Sequence, residues 1–409
     1  MAGHGGTPCV RPSLESLGVV NARGRDLCVA SSGGEIVYIG RRSGLGDHVE
    51  STSSREIDCA SKLLTPGFVD SHTHAIFAGS RESELSMKLS GMSYLDILNR
   101  GGGILDTVEK TRSASDGELL SQTRKRLDRM TSFGTTTFEV KSGYALTVSG
   151  ETRLLELLRI LVNDAHYDIE STLLSAHALP KDYTGRKEKF IEDVVIPSIS
   201  VASERNLATF CDVFLEEGVF GYKEADRILN HALRCGLKIK VHADEFSDQG
   251  GARLASTLKA TSADHLGRAS LDGMKHLART GTVAVLLPGT LFTSFAGAYA
   301  KAREMIELGV PIAIGTDMSP NSWIESMQFV ISLACYGMRL SPEEALVGAT
   351  INGAHAIGRA QDVGSLEVGK SFDALIFDLE NYSQIPYRIG SNSISTVIKR
   401  GRVLFDSSA

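Results

Sequence analysis

His72 and His74 stand two residues apart at the end of the apolar run from Leu63 to Ser71. Side chains on an extended chain alternate between two faces, so imidazoles at this spacing point to one side and can grip a single metal ion. Such a pair says little by itself. Its meaning comes from residues much further along the chain. Of the eleven histidines, His72, His74, His177, His242 and His265 each close a run with strand character. His4, His48, His166, His231, His276 and His355 do not, and they read as ordinary structural or surface residues. Asp317 follows another such run, from Pro311 to Thr316, and adds an oxygen donor. His72, His74, His242 and Asp317 make an N3O set suited to one Zn²⁺ or Fe²⁺ ion, with no preference between the two. A catalytic ion of this kind keeps a position open for water and lowers the pKa of that water.

Glu245 lies three residues past His242. It could take a proton from the water and pass it to a leaving nitrogen. The plainer alternative is a first-turn glutamate facing a helix dipole. Asp244 beside it reads as a structural neighbour. His265 could hydrogen-bond the attacking water or a carbonyl oxygen. Arg81, seven residues past His74, offers either a planar fork for a carboxylate or a surface ion pair. Tyr144 could add a hydroxyl donor. Gly101 to Gly103 fit a substrate loop or a helix-terminating turn equally well, and Lys141 is ambiguous. The run from Cys211 to Glu217 holds no lysine that could be modified to bridge two ions, which argues for one ion.

These residues need a scaffold that brings distant strand ends together. Eight strand candidates run over 64–71, 135–140, 171–176, 211–215, 237–241, 261–265, 282–287 and 311–315. Helical patterns lie between most of them, including 151–162, 187–204, 223–235 and 302–308. The second of these holds Pro197, so a kink or break is expected there. Eight βα units predict an α/β fold, a (β/α)8 TIM-type barrel whose active site sits at the C-terminal ends of its strands. A doubly wound sheet is the alternative, but no glycine-rich dinucleotide fingerprint follows the first strand. About 60 residues separate the first two strands, a length that often carries an active-site lid. Both chain ends read as short strands with turns, Asp26–Ser31 and Glu35–Gly40 at one end and Asp373–Asp378 and Thr396–Phe405 at the other. They predict a small accessory β-sandwich domain built from both termini, 1–63 with 357–409, around a barrel over 64–356.

Composition narrows the setting. With 409 residues, 42% hydrophobic, the chain can bury a large core. A net charge of −6 gives no reason to expect nucleic acid or a membrane surface as partner. The six cysteines form no CxxC pair and suggest reduced thiols in the cytoplasm. The start of the chain lacks the basic and apolar regions of a signal peptide, and no apolar run approaches the length of a membrane span. The expected partners are a small-molecule substrate and a second copy in a homodimer.

Over almost its whole length the chain resembles the amidohydrolase superfamily. The likeness rests on Pro66 to Arg81 with its His-Thr-His, on Ser175-Ala176-His177, on Ser262 to His265, on Gly315-Thr316-Asp317 and on Asn352 to His355. The Arg81 segment, Gly101 to Ile104, Glu139 to Tyr144 and Val241 to Glu245 are similar, more narrowly, to members that open the imidazolone ring in histidine degradation. This resemblance implies hydrolysis of 4-imidazolone-5-propanoate to N-formimino-L-glutamate. It implies one divalent metal ion, zinc or iron, on His72, His74, His242 and Asp317. It implies substrate contacts from Arg81, Tyr94, Tyr144, His177 and Glu245, and proton handling by Glu245, His265 and Asp317. The loop after Asp317 would also touch substrate, through Ser319, Asn321 and Ser322. Here the chain departs from the family pattern of Asn-Pro-Gly followed by Ser or Thr. Ser319 replaces the asparagine and reaches less far, and Asn321 replaces the glycine. A cytosine- or guanine-type deaminase of the same superfamily would share the metal set, but a neutral base needs no partner for Arg81. A catalytically silent scaffold barrel would be expected to have lost ligands, and none is missing here.

Overall fold

The apolar run that leads to His72 forms two strands in two different sheets. The computed structural model describes residues 27–47, 55–59, 62–92, 96–97, 102–163 and 167–407. In it β1 (Leu27–Ser32) and β2 (Glu35–Arg41) form an N-terminal hairpin, and the run divides into β3 (Leu63–Pro66) and β4 (Phe68–Thr73). Gly67 is the hinge between them. A Cβ on Gly67 would lie 2.2 Å from Thr136 Oγ1, so only glycine lets the chain pass so close to the neighbouring strand. The expected single strand over 64–71 is therefore corrected to two.

From β4 the chain builds a parallel sheet. Its further strands are β5 (Thr135–Lys141), β6 (Ile169–Ala176), β7 (Phe210–Leu215), β8 (Lys238–Ala243), β9 (Ser262–His265), β10 (Val283–Leu286) and β11 (Ile312–Ile314). The eight strands pair in sequence order from β4 to β11. A parallel bridge between Thr73 and Met318 brings the last strand back to the first, closing the (β/α)8 barrel. Outward side chains pack on the surrounding helices. Val69, for example, joins Val347, Ile351 and Ala354 in one apolar cluster. Asn352 donates from Nδ2 to the Ile312 carbonyl at 2.8 Å, tying the late helix Ile351–Ala356 to β11. No helix among the described residues is long and apolar enough to cross a membrane.

The expected long helix over 187–204 is interrupted. It runs as Lys187–Phe190, a π segment Ile191–Val195 and then Ile196–Glu204, with Pro197 in the first turn of the last piece. Proline there gives up an N–H that a first turn does not need.

The accessory sheets come from both ends of the chain. β12 (Ala374–Phe377), β13 (Ile394–Lys399) and β14 (Arg402–Asp406) form an antiparallel sheet in the order β14-β13-β12-β3. The single run expected over 396–405 is a hairpin, turning at Arg400 and Gly401 with φ of 47° and 73°. β1 and β2 pair across Gly33 and Gly34, whose φ of 62° and 93° suit a tight hairpin turn. Ile36 from this hairpin packs with Leu64, Leu366, Ala374, Ile376 and Ile398.

Candidate active site

Period-2 alternation along the barrel strands stacks polar side chains on the inside. Asp70 and His72 from β4, Glu139 and Lys141 from β5, Asp212 from β7, Lys240 and His242 from β8, and Ser262 and Asp264 from β9 are all buried. Register places His242 opposite Asp264 on one side and Phe214 on the other. The layer below the strand ends is thus charged, and the layer at the ends is histidine.

Three imidazoles converge at the strand ends. His72 Nε2 and His242 Nε2 each lie 3.3 Å from His74 Nε2. Asp317 Oδ1 lies 3.6 Å from His72 Nε2 and 3.5 Å from His74 Nε2. His72 Nδ1 donates to Asp264 Oδ2 at 2.7 Å, which leaves its Nε2 as a bare lone pair. His242 Nδ1 faces Asp212 Oδ2 at 2.8 Å. Burial, with Lys141 next in weight at His72 and His177 at His74, holds both imidazoles well below the ordinary histidine range. Neutral nitrogen lone pairs turned on one another and on a carboxylate repel unless a cation sits among them. Nitrogen ligands at about 2.0–2.1 Å from a tetrahedral ion are about 3.3–3.4 Å apart, the spacing seen here. The donor set fits one divalent cation, with the histidines already oriented by their outer nitrogens.

Around this cluster opens a cleft of about 470 Å³, counting its mouth, lined by Arg81, Tyr144, His177, Glu245, Ser319 and Asn321 among others. Glu245 Oε2 lies 3.6 Å from His265 Nε2, and neither ring nitrogen of His265 has a hydrogen-bond partner among the described residues. Burial, and then the nearby Asp317, raises the Glu245 carboxyl well above the usual range. His265 and Asp317 have φ of 75° and 50°. Left-handed backbone at His265 lets consecutive residues Asp264 and His265 both serve the site, where regular strand geometry would send one outward. Asp244 also has positive φ and caps the helix Gly251–Thr257 by accepting from Gly251 and Ala252, so it is structural.

The long first βα segment holds Arg81. Its Nε donates to Thr107 Oγ1 at 2.7 Å, on the helix Ile104–Ser113, and only 7% of the residue is exposed. Gly103 precedes that helix and donates its N–H to Glu84 Oε1 at 2.6 Å. Gly103 therefore starts a helix instead of ending one. Arg126 braces the same segment from below by donating to the carbonyls of Ala75 and Phe77 at 2.9 and 2.8 Å.

His177 Nδ1 lies 3.1 Å from the Gly143 carbonyl, which fixes the proton on Nδ1 and turns an accepting Nε2 to the cleft. Burial, with His242 beside it, lowers its pKa to about 3. Gly143 has φ of 104°, and a Cβ there would come within 2.9 Å of both His177 Nδ1 and the Leu174 carbonyl. Glu151 accepts from the N–H groups of Gly143, Ala145 and Leu146 and so shapes the loop that carries Tyr144. After β11, Ser319 and Asn321 reach the cleft, whereas Ser322 is fully buried behind them, its N–H donating to Ser319 Oγ. Tyr94 and Gly101 lie outside the described residues.

Lys141 belongs to the buried layer. Its Nζ lies 2.7 Å from Glu139 Oε1, 2.8 Å from Asp212 Oδ2 and 3.6 Å from Asp264 Oδ2. Lys240 Nζ donates to the Ser71 carbonyl at 2.8 Å and lies 3.5 Å from Asp264 Oδ2. Apart from Lys141, the residues of this layer, with Thr290 that donates to Asp317 and Thr107 that accepts from Arg81, are not singled out by the sequence. The available signal was alternation: Asp70, Lys240 and Glu139 each sit two residues before a residue already in question.

A model of the amidohydrolase family matches residues 63–404, which include every element of this cleft. The chain belongs to the amidohydrolase family. Among its relatives, the imidazolonepropionase of Alkaliphilus oremlandii is 43% identical over 402 residues, covering 98% of this chain and 94% of that protein. That of Shouchella clausii is 44% identical, covering 99% of this chain and 90% of that protein. Solved structures share the fold of this amidohydrolase at much lower identity. 5-Methylcytosine deaminase from Klebsiella pneumoniae superposes with a TM-score of 0.73 at 16% identity, over 94% of this chain and 95% of that one. Guanine deaminase from C. acetobutylicum gives 0.69 at 17% identity, over 93% and 95%.

Proposed function

We propose that this amidohydrolase is an imidazolonepropionase, adding water across the ring amide of 4-imidazolone-5-propanoate to give N-formimino-L-glutamate. The activity is the one its relatives are named for. The observation that carries it is Arg81, held by Thr107 through Nε, with the rest of its guanidinium on the wall of a cleft that ends at a three-histidine cluster. A buried guanidinium at a cleft wall calls for an anionic partner, and the substrate's propanoate supplies one. A neutral nucleobase would leave it unmatched.

One zinc or iron ion held by His72, His74, His242 and Asp317 would supply a hydroxide nucleophile near neutral pH and polarise the carbonyl. Glu245 takes the proton released by the attacking water and delivers it to the ring nitrogen as the carbon–nitrogen bond breaks. His265, 3.6 Å from Glu245, donates to the oxygen on which negative charge develops. His177 accepts from a ring N–H through Nε2. Arg81 and the Tyr144 side of the cleft set the ring so that its carbonyl faces the cluster. Loss of imidazolone absorbance with purified protein, alongside metal analysis, tests the reading. Ammonia release from a nucleobase panel without imidazolone turnover would overturn it.

A further inference from the structure

We propose that Lys88 is a specificity-determining positioning residue: it fixes the side-chain amide of Asn321 so that its NH2 group faces the cleft beside Arg81, completing a two-donor reader of a substrate carboxylate. Lys88 lies on the short helix Glu84–Leu89 that follows Arg81. It is half-buried, and its Nζ donates to Asn321 Oδ1 at 2.8 Å, with the Asn321 carbonyl at 3.5 Å. An ammonium offers only donors, so the oxygen of the amide is the atom that faces it. The Nδ2 of Asn321 is then turned away from Lys88, and no described residue accepts from it. Asn321 and Arg81 both line the cleft.

The departure from the family pattern acquires a purpose in this arrangement. A glycine at position 321 would bring no side-chain donor, whereas the asparagine here brings one and Lys88 sets its direction. The helix that carries Lys88 is itself anchored, because Glu84 accepts from the Gly103 N–H at 2.6 Å. Burial lowers the Lys88 ammonium, Glu84 raises it, and Arg81 lowers it again. The two cations are thus near enough to repel, and an anion bound at Arg81 and Asn321 relieves that repulsion. A bidentate carboxylate would take one oxygen to the Arg81 guanidinium and the other to Asn321 Nδ2.

The inference rests on the proposed function, and the test separates the two. Metal-loaded full-length enzyme and the variants Lys88→Met, Asn321→Gly and the double substitution are compared in steady-state turnover of imidazolone propanoate. Competitive inhibition by imidazole-4-propanoate and by its carboxylate-free counterpart 4-propylimidazole is measured on the same proteins. Lys88→Met is expected to raise KM and the propanoate inhibition constant about tenfold, with kcat changed less than twofold. The 4-propylimidazole constant should stay put. In the Asn321→Gly background the lysine substitution should add nothing, since its target is gone. Additive losses, or equal losses toward both inhibitors, would show that Lys88 does not act through Asn321 and would overturn the proposal. A wild-type protein that fails to turn over imidazolone propanoate refutes the function, while the contrast between the two inhibitors still tests the carboxylate reader.

Discussion

Replacing Lys141 with methionine tests whether the charged layer beneath the histidines holds them in place. Glu139, Asp212 and Asp264 bring three negative charges, against which Lys141 and Lys240 bring two positive ones, all in side chains with no solvent exposure. These five groups together carry −1, and −2 without Lys141. Lys141 is held well above the ordinary lysine range: burial pulls it down, but Asp212, Glu139 and Asp264 outweigh that. Asp212 lies far below the carboxylate range although burial opposes it, because His242 and Lys141 both favour its charge. Removing one partner from a buried ion pair costs about 3–5 kcal/mol, and protonation of one acid caps the loss. The acids affected are those at His72 Nδ1 and His242 Nδ1. Loss of such a partner weakens metal binding by about 10–100-fold. Chelator competition on Lys141→Met should show that loss, and melting of the metal-free protein should show the destabilisation separately. Asp264→Asn, which keeps the volume, covers the case in which Lys141→Met does not fold, and it should bind metal at least tenfold more weakly. Metal affinity and apo melting unchanged in both variants would refute the reasoning.

Three further outcomes follow from the geometry. Arg81→Ala should raise KM about a hundredfold while leaving kcat within a few fold; a normal KM would remove the carboxylate fork. Gly143→Ala should lower both the melting temperature and turnover, because at φ 104° its Cβ meets His177 Nδ1 and the Leu174 carbonyl at 2.9 Å, and an unshifted melt would deny that contact. Asp168 is buried, which raises its pKa, yet Lys399 and Arg359, each 3.0 Å away, bring it to about 2. A depressed carboxyl pKa stabilises the fold above the unfolded value near 3.9, and that contribution is lost as pH falls through about 2. Asp168→Asn should therefore cost about 2 kcal/mol at pH 7, and melting at pH 7 and pH 3 should show the gap between the two proteins narrowing in acid.

Much of the site could be read from residue type and spacing because its parts end strands. A strand end is marked by an apolar run followed by a polar residue, and His72, His74, His177, His242, His265 and Asp317 all announce themselves that way. Strand interiors hide their function better. Lys141 has Glu139 two residues before it, but its other partners, Asp212 and Asp264, come from β7 and β9, and β8 holds no acid for Lys240. The division of the apolar run between β3 and β4 was likewise not legible. Pro66-Gly67 looks like any turn signal, and its cause, the close approach of Thr136, is 69 residues away in sequence. Arg81 could be singled out but not assigned, since its environment depends on the helix that Gly103 begins.

The candidate ligands also occupy the weakest seam of the barrel, and metal removal should expose it. Each other neighbouring pair of barrel strands shares a ladder of at least three registered residues. The chain just past β11 meets β4 by one bridge, Met318 with Thr73. It is supported by the His74 N–H donating to the Met318 carbonyl at 2.8 Å, the Asp317 N–H donating to the His72 carbonyl at 3.1 Å, and Asp70, which accepts from the Thr316 N–H and hydroxyl at 3.0 and 2.6 Å. His72, His74 and Asp317 are thus both the closing seam and three of the four proposed ligands. Without a cation their side chains repel across the same gap that their backbones bridge, and Asp317 holds a left-handed φ of 50° that costs about 1–3 kcal/mol. A bound ion opposes that opening, and only the folded site binds it tightly, so loading should raise the melting temperature with the logarithm of the ion concentration over Kd. Hydrogen exchange should locate the effect. Stripping the metal should speed exchange of the His74 and Asp317 amides well before those of β6 and β7 across the barrel. If all eight strands loosened together, or if the seam stayed protected in the stripped protein, the cation would have no part in closing the barrel.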